Sequence, residues 1–249
     1  MIRGENSGGG GPRLSAVFFD AGGTLLEPRP CVGHIYAEVA GQMGLALDPD
    51  ETHRAFAEAF AEIKARRHAE HGHLFGFRPE EAWAMWREVL QRTFERLGCD
   101  GPELDPIFDQ LYEEFASARR FALLDGALET LDTLRGRGLT VGLISNWDHR
   151  LHGILRGLDL MGRLDPIIIS CDVGVEKPDP AIFRAALETV GVRPDEALMV
   201  GDSPEPDIEG ACAAGLWALL LDTTGWYRGP ERRVAHLTDI PAWIEAHFG

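Results

Sequence analysis

Residues 14–26 read Leu-Ser-Ala-Val-Phe-Phe-Asp-Ala-Gly-Gly-Thr-Leu-Leu, an apolar run that ends on an acid followed closely by two glycines. A run without polar alternation that is rich in Val and Phe is typical of a buried strand in a parallel sheet. Asp20 would then lie at the carboxyl end of that strand, where open α/β sheets bind ligands, and Gly22 and Gly23 would allow a tight turn beside it. A solvated aspartate in an ordinary capped turn is the alternative reading of this stretch.

The composition is that of an acidic globular chain. Of its 249 residues 45% are hydrophobic, which is enough for one sizeable core and a smaller subdomain. The formal net charge of −16 would repel nucleic acids and anionic membranes, and no dense Lys/Arg run offsets it, so we expect neither as a partner. A small anionic ligand would need a local positive group, such as a lysine, a helix N-terminus or a metal ion.

The cysteines and the N-terminal residues bear on localisation. The four cysteines are scattered, with no C-x-x-C spacing and no histidine grouping typical of zinc, and no apolar stretch reaches membrane-spanning length. We therefore expect reduced thiols and a cytoplasmic protein. Residues 1–13 lack an apolar signal-peptide core and contain a glycine run, so we expect a flexible N-terminal tail. Monomer and homodimer are both compatible with the sequence.

Between residues 28 and 119 the hydrophobic residues recur at helical spacing, and no convincing strand interrupts them. We expect roughly four helices here, forming an all-helical domain. The helical pattern fades near His68, His71 and His73, which favours a solvated loop over a metal cluster. Substrate selection would lie in large side chains of this segment, such as Phe77, Trp83 and Trp86, but we expect these residues in its core rather than in a pocket.

From Leu124 onward the pattern alternates between helix and strand. Apolar strands are predicted at residues 139–144, 166–170, 197–200 and 217–221, and helices at 126–137, 147–158, 180–190, 208–214 and 239–248. Such alternation implies right-handed crossovers and a doubly wound parallel sheet. We therefore expect an α/β fold, with a Rossmann-like core formed by residues 14–27 and 120–249 and the helical domain, residues 28–119, inserted into it.

Polar residues follow three of the predicted strands at the point where each strand ends. They are Asp20 after the first, Ser145 and Asn146 after the second, and Asp202 and Ser203 after the fourth. Because the carboxyl ends of parallel strands share one edge of a sheet, these side chains are expected to converge there. That edge is therefore the candidate site.

The acidic residues at this edge favour a metal ion. Asp20 and Asp202 would repel each other unless a cation lay between them, and hard carboxylate oxygens suit Mg²⁺. Asp207 follows five residues after Asp202, just before a predicted helix. It could complete the metal shell or cap that helix, and the two roles are compatible.

The remaining polar residues form a candidate anion site. Ser145 and Asn146 are expected to open a helix, so their side chains and the free backbone N–H groups would bind an anion. Lys177, in Val-Glu-Lys-Pro-Asp-Pro, would add a positive charge on a loop stiffened by two prolines. A nucleophilic carboxylate, a metal, an anion cradle and a lysine together describe phosphoryl transfer.

Four segments together resemble the motifs of the haloacid dehalogenase superfamily. They are residues 19–25 (FDAGGTL), 144–146 (ISN), 177–180 (KPDP) and 201–203 (GDS), the last followed by Asp207. Their order and strand context match that superfamily over nearly the whole chain, and the set is specific although each motif alone is weak. The helical segment after the first motif resembles the superfamily's C1 cap, the lid that selects the substrate.

The resemblance implies roles for individual residues. The implied catalytic residues are Asp20 as nucleophile, Ser145 as phosphate ligand and Lys177 as charge stabiliser, with Thr24 as a structural motif residue. The implied ligands of Mg²⁺ are Asp20, the Gly22 carbonyl and Asp202, with Asp207 in support. The implied substrate-binding residues are Gly22, Gly23, Ser145, Asn146 and Lys177.

One position departs from the phosphatase pattern. Phosphatases of the superfamily carry a second aspartate two residues after the nucleophile as general acid and base, and here that position is Gly22. The dehalogenase branch, which typically reads Asp-x-Tyr-Gly-Thr, also lacks that aspartate, but its reaction is metal-free. The phosphonatase branch, Asp-x-Ala-Gly-Thr, would need a Schiff-base lysine from the cap, where Lys64 is the only lysine.

The resemblance therefore favours a metal-dependent, phosphatase-like hydrolase similar to the subgroup without the second aspartate. It would act on a small phosphorylated molecule through an aspartyl-phosphate, with weak or unusual activity. The alternatives are a non-catalytic regulatory protein that binds phosphate and metal, and a hydrolase of the haloacid dehalogenase or phosphonatase type.

Overall fold

A computed structural model describes residues 13–99, 104–229 and 232–249. The tail expected over residues 1–13 lies outside the described residues, apart from Arg13. The strands are β1 (Ala16–Phe19), β2 (Leu26–Pro28), β3 (Phe121–Leu123), β4 (Thr140–Ser145), β5 (Ile167–Ile169), β6 (Ala197–Gly201), β7 (Trp217–Leu221) and β8 (Arg233–Val234). The helices are α1 (Val32–Gln42), α2 (Pro49–His71), α3 (Pro79–Arg96), α4 (Leu104–Glu114), α5 (Ala127–Gly136), α6 (Leu151–Gly157), α7 (Ser170–Val173), α8 (Pro180–Val190), α9 (Gly210–Ala214) and α10 (Ile240–Phe248).

The main sheet is six-stranded, in the order β5-β4-β1-β6-β7-β8, and every neighbouring pair is parallel. Successive side chains of β1 point to opposite faces. Val17 and Phe19 pack into one apolar cluster with residues of α5, α6 and α10, while Phe18 packs into a second cluster with residues of α8 and α9. A parallel sheet with helices on both faces confirms the expected doubly wound α/β fold.

Helices α1 to α4 occupy the chain between β2 and β3, which pair with each other as a separate antiparallel ladder. This helical segment has apolar clusters of its own, one of which includes Ile35, Phe94 and Phe108. Strands β2 and β3, which connect the helical segment to the rest of the chain, were not predicted. Each has three residues, and one contains Pro28, so both are too short to show the alternation of side chains typical of a strand. The treatment of residues 28–119 as a cap domain stays a prediction. No helix in the described part of the chain is both long and apolar enough to cross a membrane.

Some helix boundaries differ from the prediction. The helix expected over residues 147–158 begins only at Leu151, because the Asp148 carboxylate accepts the backbone N–H and the side chain of Arg150 and forms a turn instead. The loop expected around the histidines is also wrong in part. Helix α2 includes His68 and ends at His71, and the following Gly72 has a left-handed φ of 76°, which suits a glycine.

Candidate active site

Strands β4, β1 and β6 lie side by side in the middle of the sheet, and polar residues follow or end all three. Asp20 follows β1, where its backbone N–H donates to the Val200 carbonyl at 2.9 Å. Ser145 is the last residue of β4 and is buried, and its hydroxyl has no hydrogen-bond partner among the described residues. Carboxylate oxygens of Asp20, Asp202 and Asp207 all lie within 4.8 Å of one another. The structure thus brings together the residues predicted at these strand ends.

Lys177 connects these groups. Its Nζ donates to Asp20 Oδ1 at 2.7 Å, to Asp207 Oδ1 at 2.6 Å and to the Ile144 carbonyl at 2.8 Å, so all three ammonium hydrogens have acceptors. The residue is only 3% exposed. Burial by itself would lower the pKa of Lys177, but the charges of Asp20 and Asp207 outweigh burial and raise it. Lys177 is therefore a fixed positive charge beside Asp20.

Asn146 holds Lys177 and is not at a helix N-terminus. Its Nδ2 donates to the Lys177 carbonyl at 2.8 Å, and its Oδ1 accepts the Lys177 backbone N–H at 2.7 Å. The expectation that Ser145 and Asn146 open a helix is wrong, since α6 begins at Leu151. The Asn146 amide is engaged by protein on both sides. It therefore positions Lys177, although it also lines the cavity described below.

Asp207 lies in a π-helical turn, Pro204–Glu209, that precedes α9. Its Oδ2 accepts the Ser203 backbone N–H at 3.0 Å while Oδ1 accepts from Lys177, so it does not cap α9 as the alternative reading had it. Burial and the charge of Asp20 raise the pKa of Asp207, against the opposing effect of Lys177. Gly201 is required beside it, because a Cβ atom at that position would collide with the Asp207 carboxylate.

Asp202 is the carboxylate of this cluster whose ionised form its surroundings disfavour. Burial by the surrounding walls, with the charges of Asp20 and Asp207, raises its pKa to about 7. Three carboxylates face one lysine, so the excess negative charge and the oxygen donors fit a hard divalent cation such as Mg²⁺. Gly23 has a φ of 76°, and a Cβ atom there would lie 2.5 Å from Asp202 Oδ2, so this glycine is needed for the turn and its close approach to Asp202.

Thr24 and Gly22 complete the first motif. Thr24 is fully buried and its hydroxyl has no partner in the described structure, in keeping with a packing role. Gly22 forms a backbone bridge with Leu26 and lines the cavity above Asp20. The Gly22 carbonyl as a ligand of the metal stays a prediction.

A cavity of about 570 Å³ opens above this edge of the sheet. Its floor includes Asp20, Ser145, Lys177 and Asp202, and its upper wall comes from the helical segment through Phe60, Lys64, His68 and Trp86. The assignment of Trp86 to the core is therefore incomplete, and that of Trp83 is wrong, because Trp83 is exposed. Phe60, Trp86 and Trp147 also line a second, mainly apolar cavity of about 230 Å³.

Two buried carboxylates, which sequence reasoning missed, join the helical segment to the sheet. Glu176 accepts the backbone N–H groups of Leu74 at 2.9 Å and Phe75 at 3.0 Å, and its Oε2 lies 3.4 Å from His68 Nε2. Asp148 accepts the Trp86 indole N–H at 2.8 Å. The one available signal was position, since both acids lie within three residues of a motif residue.

One cysteine belongs to a polar cluster that its spacing did not predict. Atoms of His149, Cys171 and Asp172 able to bind metal lie within 4.8 Å of one another, although the spacing of these residues in sequence is not that of a zinc site. The Asp172 carboxylate is already engaged, with Cys171 Sγ at 3.6 Å and His152 Nε2 at 2.8 Å. Burial and Asp172 raise the pKa of the Cys171 thiol to about 12, so it stays protonated.

Comparison with known proteins agrees with this architecture. The model of a family described as haloacid dehalogenase-like hydrolase matches residues 14–215. Haloacid dehalogenase-like hydrolase domain-containing protein 3 of Mus musculus is 36% identical over 210 residues, which cover 84% of this chain and 82% of that protein. A phosphoserine phosphatase from Thermus thermophilus is 34% identical over 236 residues, covering 84% and 89%. The solved structure of a 2-haloacid dehalogenase from Pseudomonas syringae is 28% identical, with a TM-score of 0.62 over 94% of this chain and 99% of that one. The chain therefore belongs to the haloacid dehalogenase-like hydrolase family.

Proposed function

We propose that this hydrolase is a magnesium-dependent phosphatase that acts on a small phosphorylated molecule through an aspartyl-phosphate on Asp20. The observation that carries the proposal is the charge arrangement around Lys177. Its ammonium group is shared by Asp20 and Asp207, and Asp202 has no comparable partner in the same cluster. Similarity to a phosphoserine phosphatase over 84% of the chain supports the same reaction class.

The two carboxylate oxygens of Asp20 have different environments. Oδ1 accepts from Lys177, whereas Oδ2 makes no hydrogen bond within the described part of the chain. In the first step Oδ2 attacks phosphorus, the new O–P bond forms, and the ester O–P bond breaks with its electron pair leaving on the departing oxygen. Ser145 binds a phosphoryl oxygen and Lys177 stabilises the developing charge.

The second step restores the enzyme. Water attacks phosphorus of the aspartyl-phosphate, the Asp20 oxygen leaves as carboxylate, and inorganic phosphate is released. No acid stands at Gly22, so the departing alkoxide or phenoxide must take its proton from water, and the attacking water lacks a base at that position. Substrates with acidic leaving groups should therefore react best.

The residues that would hold Mg²⁺ are Asp20, Asp202 and the Gly22 carbonyl, with Asp207 in support. When bound, the cation would neutralise charge on the transferring phosphoryl group. This need for positive charge also separates the proposal from a dehalogenase, whose metal-free reaction does not require three converging carboxylates.

The test measures three activities of the purified protein. We expect release of phosphate from p-nitrophenyl phosphate with Mg²⁺, its loss with EDTA, and its loss in Asp20→Asn. Halide release from 2-chloropropionate in EDTA would favour a dehalogenase, and turnover of phosphonoacetaldehyde with borohydride trapping at Lys64 would favour a phosphonatase. Stabilisation by phosphate and Mg²⁺ without any turnover would favour the non-catalytic binding protein.

The remaining expectations from the sequence stay predictions. These are the cytoplasmic location, the lack of nucleic-acid and membrane partners, and the choice between monomer and homodimer.

A further inference from the structure

The chain uses lysine very sparingly. Only two of its 24 lysine and arginine residues are lysines, Lys64 and Lys177, and both line the 570 Å³ cavity. Lys177 is buried at the floor of this cavity, whereas Lys64 is exposed on its helical side. Arginine supplies the other 22 of these positive side chains, so both lysines of the chain are found at this one cavity.

Lys64 belongs to one face of α2. Phe60, Lys64 and His68 are spaced four residues apart, so they are neighbours along that face, and all three line the cavity. His68 already lies 3.4 Å from Glu176 Oε2. The aromatic ring of Phe60 offers an apolar wall, which leaves Lys64 as the available cation on this side.

The side chain of Lys64 differs from those of the cations that follow it on α2. The neighbouring Arg66 pairs with Glu70 and Glu88, and Arg67 Nε donates to the Leu74 carbonyl at 2.6 Å. By contrast, within the part of the chain that the structure describes, no hydrogen bond or ion pair is formed by Lys64. None of the described carboxylates of the helical segment lines the cavity. Lys64 is therefore the cation that the helical segment contributes to the cavity, while Glu176 and Glu205, from outside that segment, also line it.

We propose that Lys64 binds a second anionic group of the substrate, so that the substrate is a phosphate monoester whose organic part carries a carboxylate or a further phosphate. This inference rests on the proposed phosphatase function. The transferring phosphoryl group occupies the floor beside Asp20 and Lys177, and the cavity leaves room for an organic group that reaches α2. An ammonium group with three donors pairs with either anion. Its exposure distinguishes Lys64 from a Schiff-base lysine, which is desolvated.

The kinetic test uses esters of matched shape. The pair is 4-carboxyphenyl phosphate and its neutral carboxamide analogue, 4-carbamoylphenyl phosphate, together with their 3-substituted isomers, and 1,4-phenylene bisphosphate adds the second-phosphate arm. We expect Lys64→Gln to lower kcat/KM for the anionic ester relative to the neutral one about tenfold. Lys64→Arg should largely restore the ratio. Arg54→Gln is the control, since Arg54 is an exposed cation on α2 that does not line the cavity.

The binding test does not depend on turnover. Among lysine side chains, a neutral acylating reagent should label the exposed Lys64 and spare the buried Lys177, and mass spectrometry can follow the two separately. In Asp20→Asn with Mg²⁺, we expect the anionic esters to slow acylation of Lys64 more than the carboxamide ester does. Protection without turnover by the wild type would overturn the phosphatase function and keep the anion subsite. Turnover with neither a changed ratio nor protection would overturn the subsite and keep the function.

Discussion

The ring of Trp147 covers Gly22: a Cβ atom placed on Gly22 would lie 3.0 Å from Cζ3 and 3.7 Å from Cη2 of that ring. The φ of Gly22 is outside the left-handed region, so its backbone would accept a side chain. Trp147 is held in place, because its backbone N–H donates to Ser170 Oγ at 3.1 Å and its ring contacts Phe121. Packing of the Trp147 ring therefore restricts which side chain can stand at position 22.

This coupling can be measured as stability. We expect Gly22→Asp to destabilise the protein, because the Trp147 ring must shift to admit the new side chain. Trp147→Phe removes the two ring atoms nearest to position 22 and should reduce that cost. A double-mutant cycle by urea unfolding should give a coupling free energy on the order of 1 kcal/mol. Strictly additive effects of the two substitutions would contradict the steric explanation.

The same pair of positions bears on catalysis. A general acid matters most for a poor leaving group, so the wild type should prefer p-nitrophenyl phosphate to ethyl phosphate strongly. Gly22→Asp combined with Trp147→Phe should raise kcat/KM for ethyl phosphate relative to the aryl ester by about 10²–10⁴-fold. Rapid quenching of the wild type should also trap phosphate on Asp20, since the second step lacks a base. An equal change for both esters would rule out an acid–base role at this position.

The strand ends were predictable from sequence because strand direction and the parallel sheet fix which edge they share. Asp20, Ser145 and Asp202 needed no knowledge of side-chain packing to be placed together. The contacts of Asn146 with Lys177 and of Glu176 with Leu74 join residues 31 and 102 positions apart, and no local pattern specifies such partners. The late start of α6 likewise depends on Asp148, whose carboxylate competes with the helix for Arg150.

Metal binding can be tested by thermal unfolding. Mg²⁺ should raise the Tm of the wild type by binding the folded state, and it should do so less in Asp202→Asn. Without metal, Asp202→Asn should itself raise the Tm at neutral pH and above, because it removes one charge from three converging carboxylates. Asp195→Asn, an exposed substitution outside the cavity, serves as the control. Equal stabilisation of wild type and Asp202→Asn by Mg²⁺ would remove Asp202 from the metal site.

Asp148 should contribute stability that depends on pH. Burial would raise its pKa, but hydrogen bonds and the charge of Arg150 outweigh burial and lower it. A lowered pKa in the folded state stabilises the protein above the usual aspartate pKa of about 3.9, and the contribution is lost as pH falls through the folded value. The two side chains are 1% and 10% exposed, so Asp148→Asn should cost on the order of 3 kcal/mol at pH 7.

Urea unfolding at pH 7 and pH 3 checks this assignment. The difference between wild type and Asp148→Asn should shrink at the lower pH, because pH 3 lies below the usual aspartate pKa of about 3.9, so that the unfolded wild-type chain binds a proton that the folded state, with its lowered pKa, binds less readily. The exposed pair of Arg193 and Asp195 provides the control, since Asp195→Asn should change stability little at either pH. A difference that is the same at both pH values would assign the effect of Asp148→Asn to packing and not to charge.

Glu176 should control how tightly the helical segment is held over the sheet. Its two oxygens accept the N–H groups of Leu74 and Phe75, so Glu176→Gln replaces one acceptor with a donor and should leave one buried N–H unpaired. We expect Glu176→Gln to lower the stability of this contact by about 1–3 kcal/mol. Amides of residues 72–77 should exchange hydrogen faster, and so should the connectors at residues 26–30 and 122–125, where we expect the cap to hinge. Glu188→Gln, exposed on α8, is the matched control.

Because β2 and β3 pair with each other, the two connectors should change together, and Mg²⁺ with a phosphate analogue should slow their exchange. Connectors that exchange as slowly as the central sheet in both proteins, with and without ligand, would show that the segment does not move as a lid.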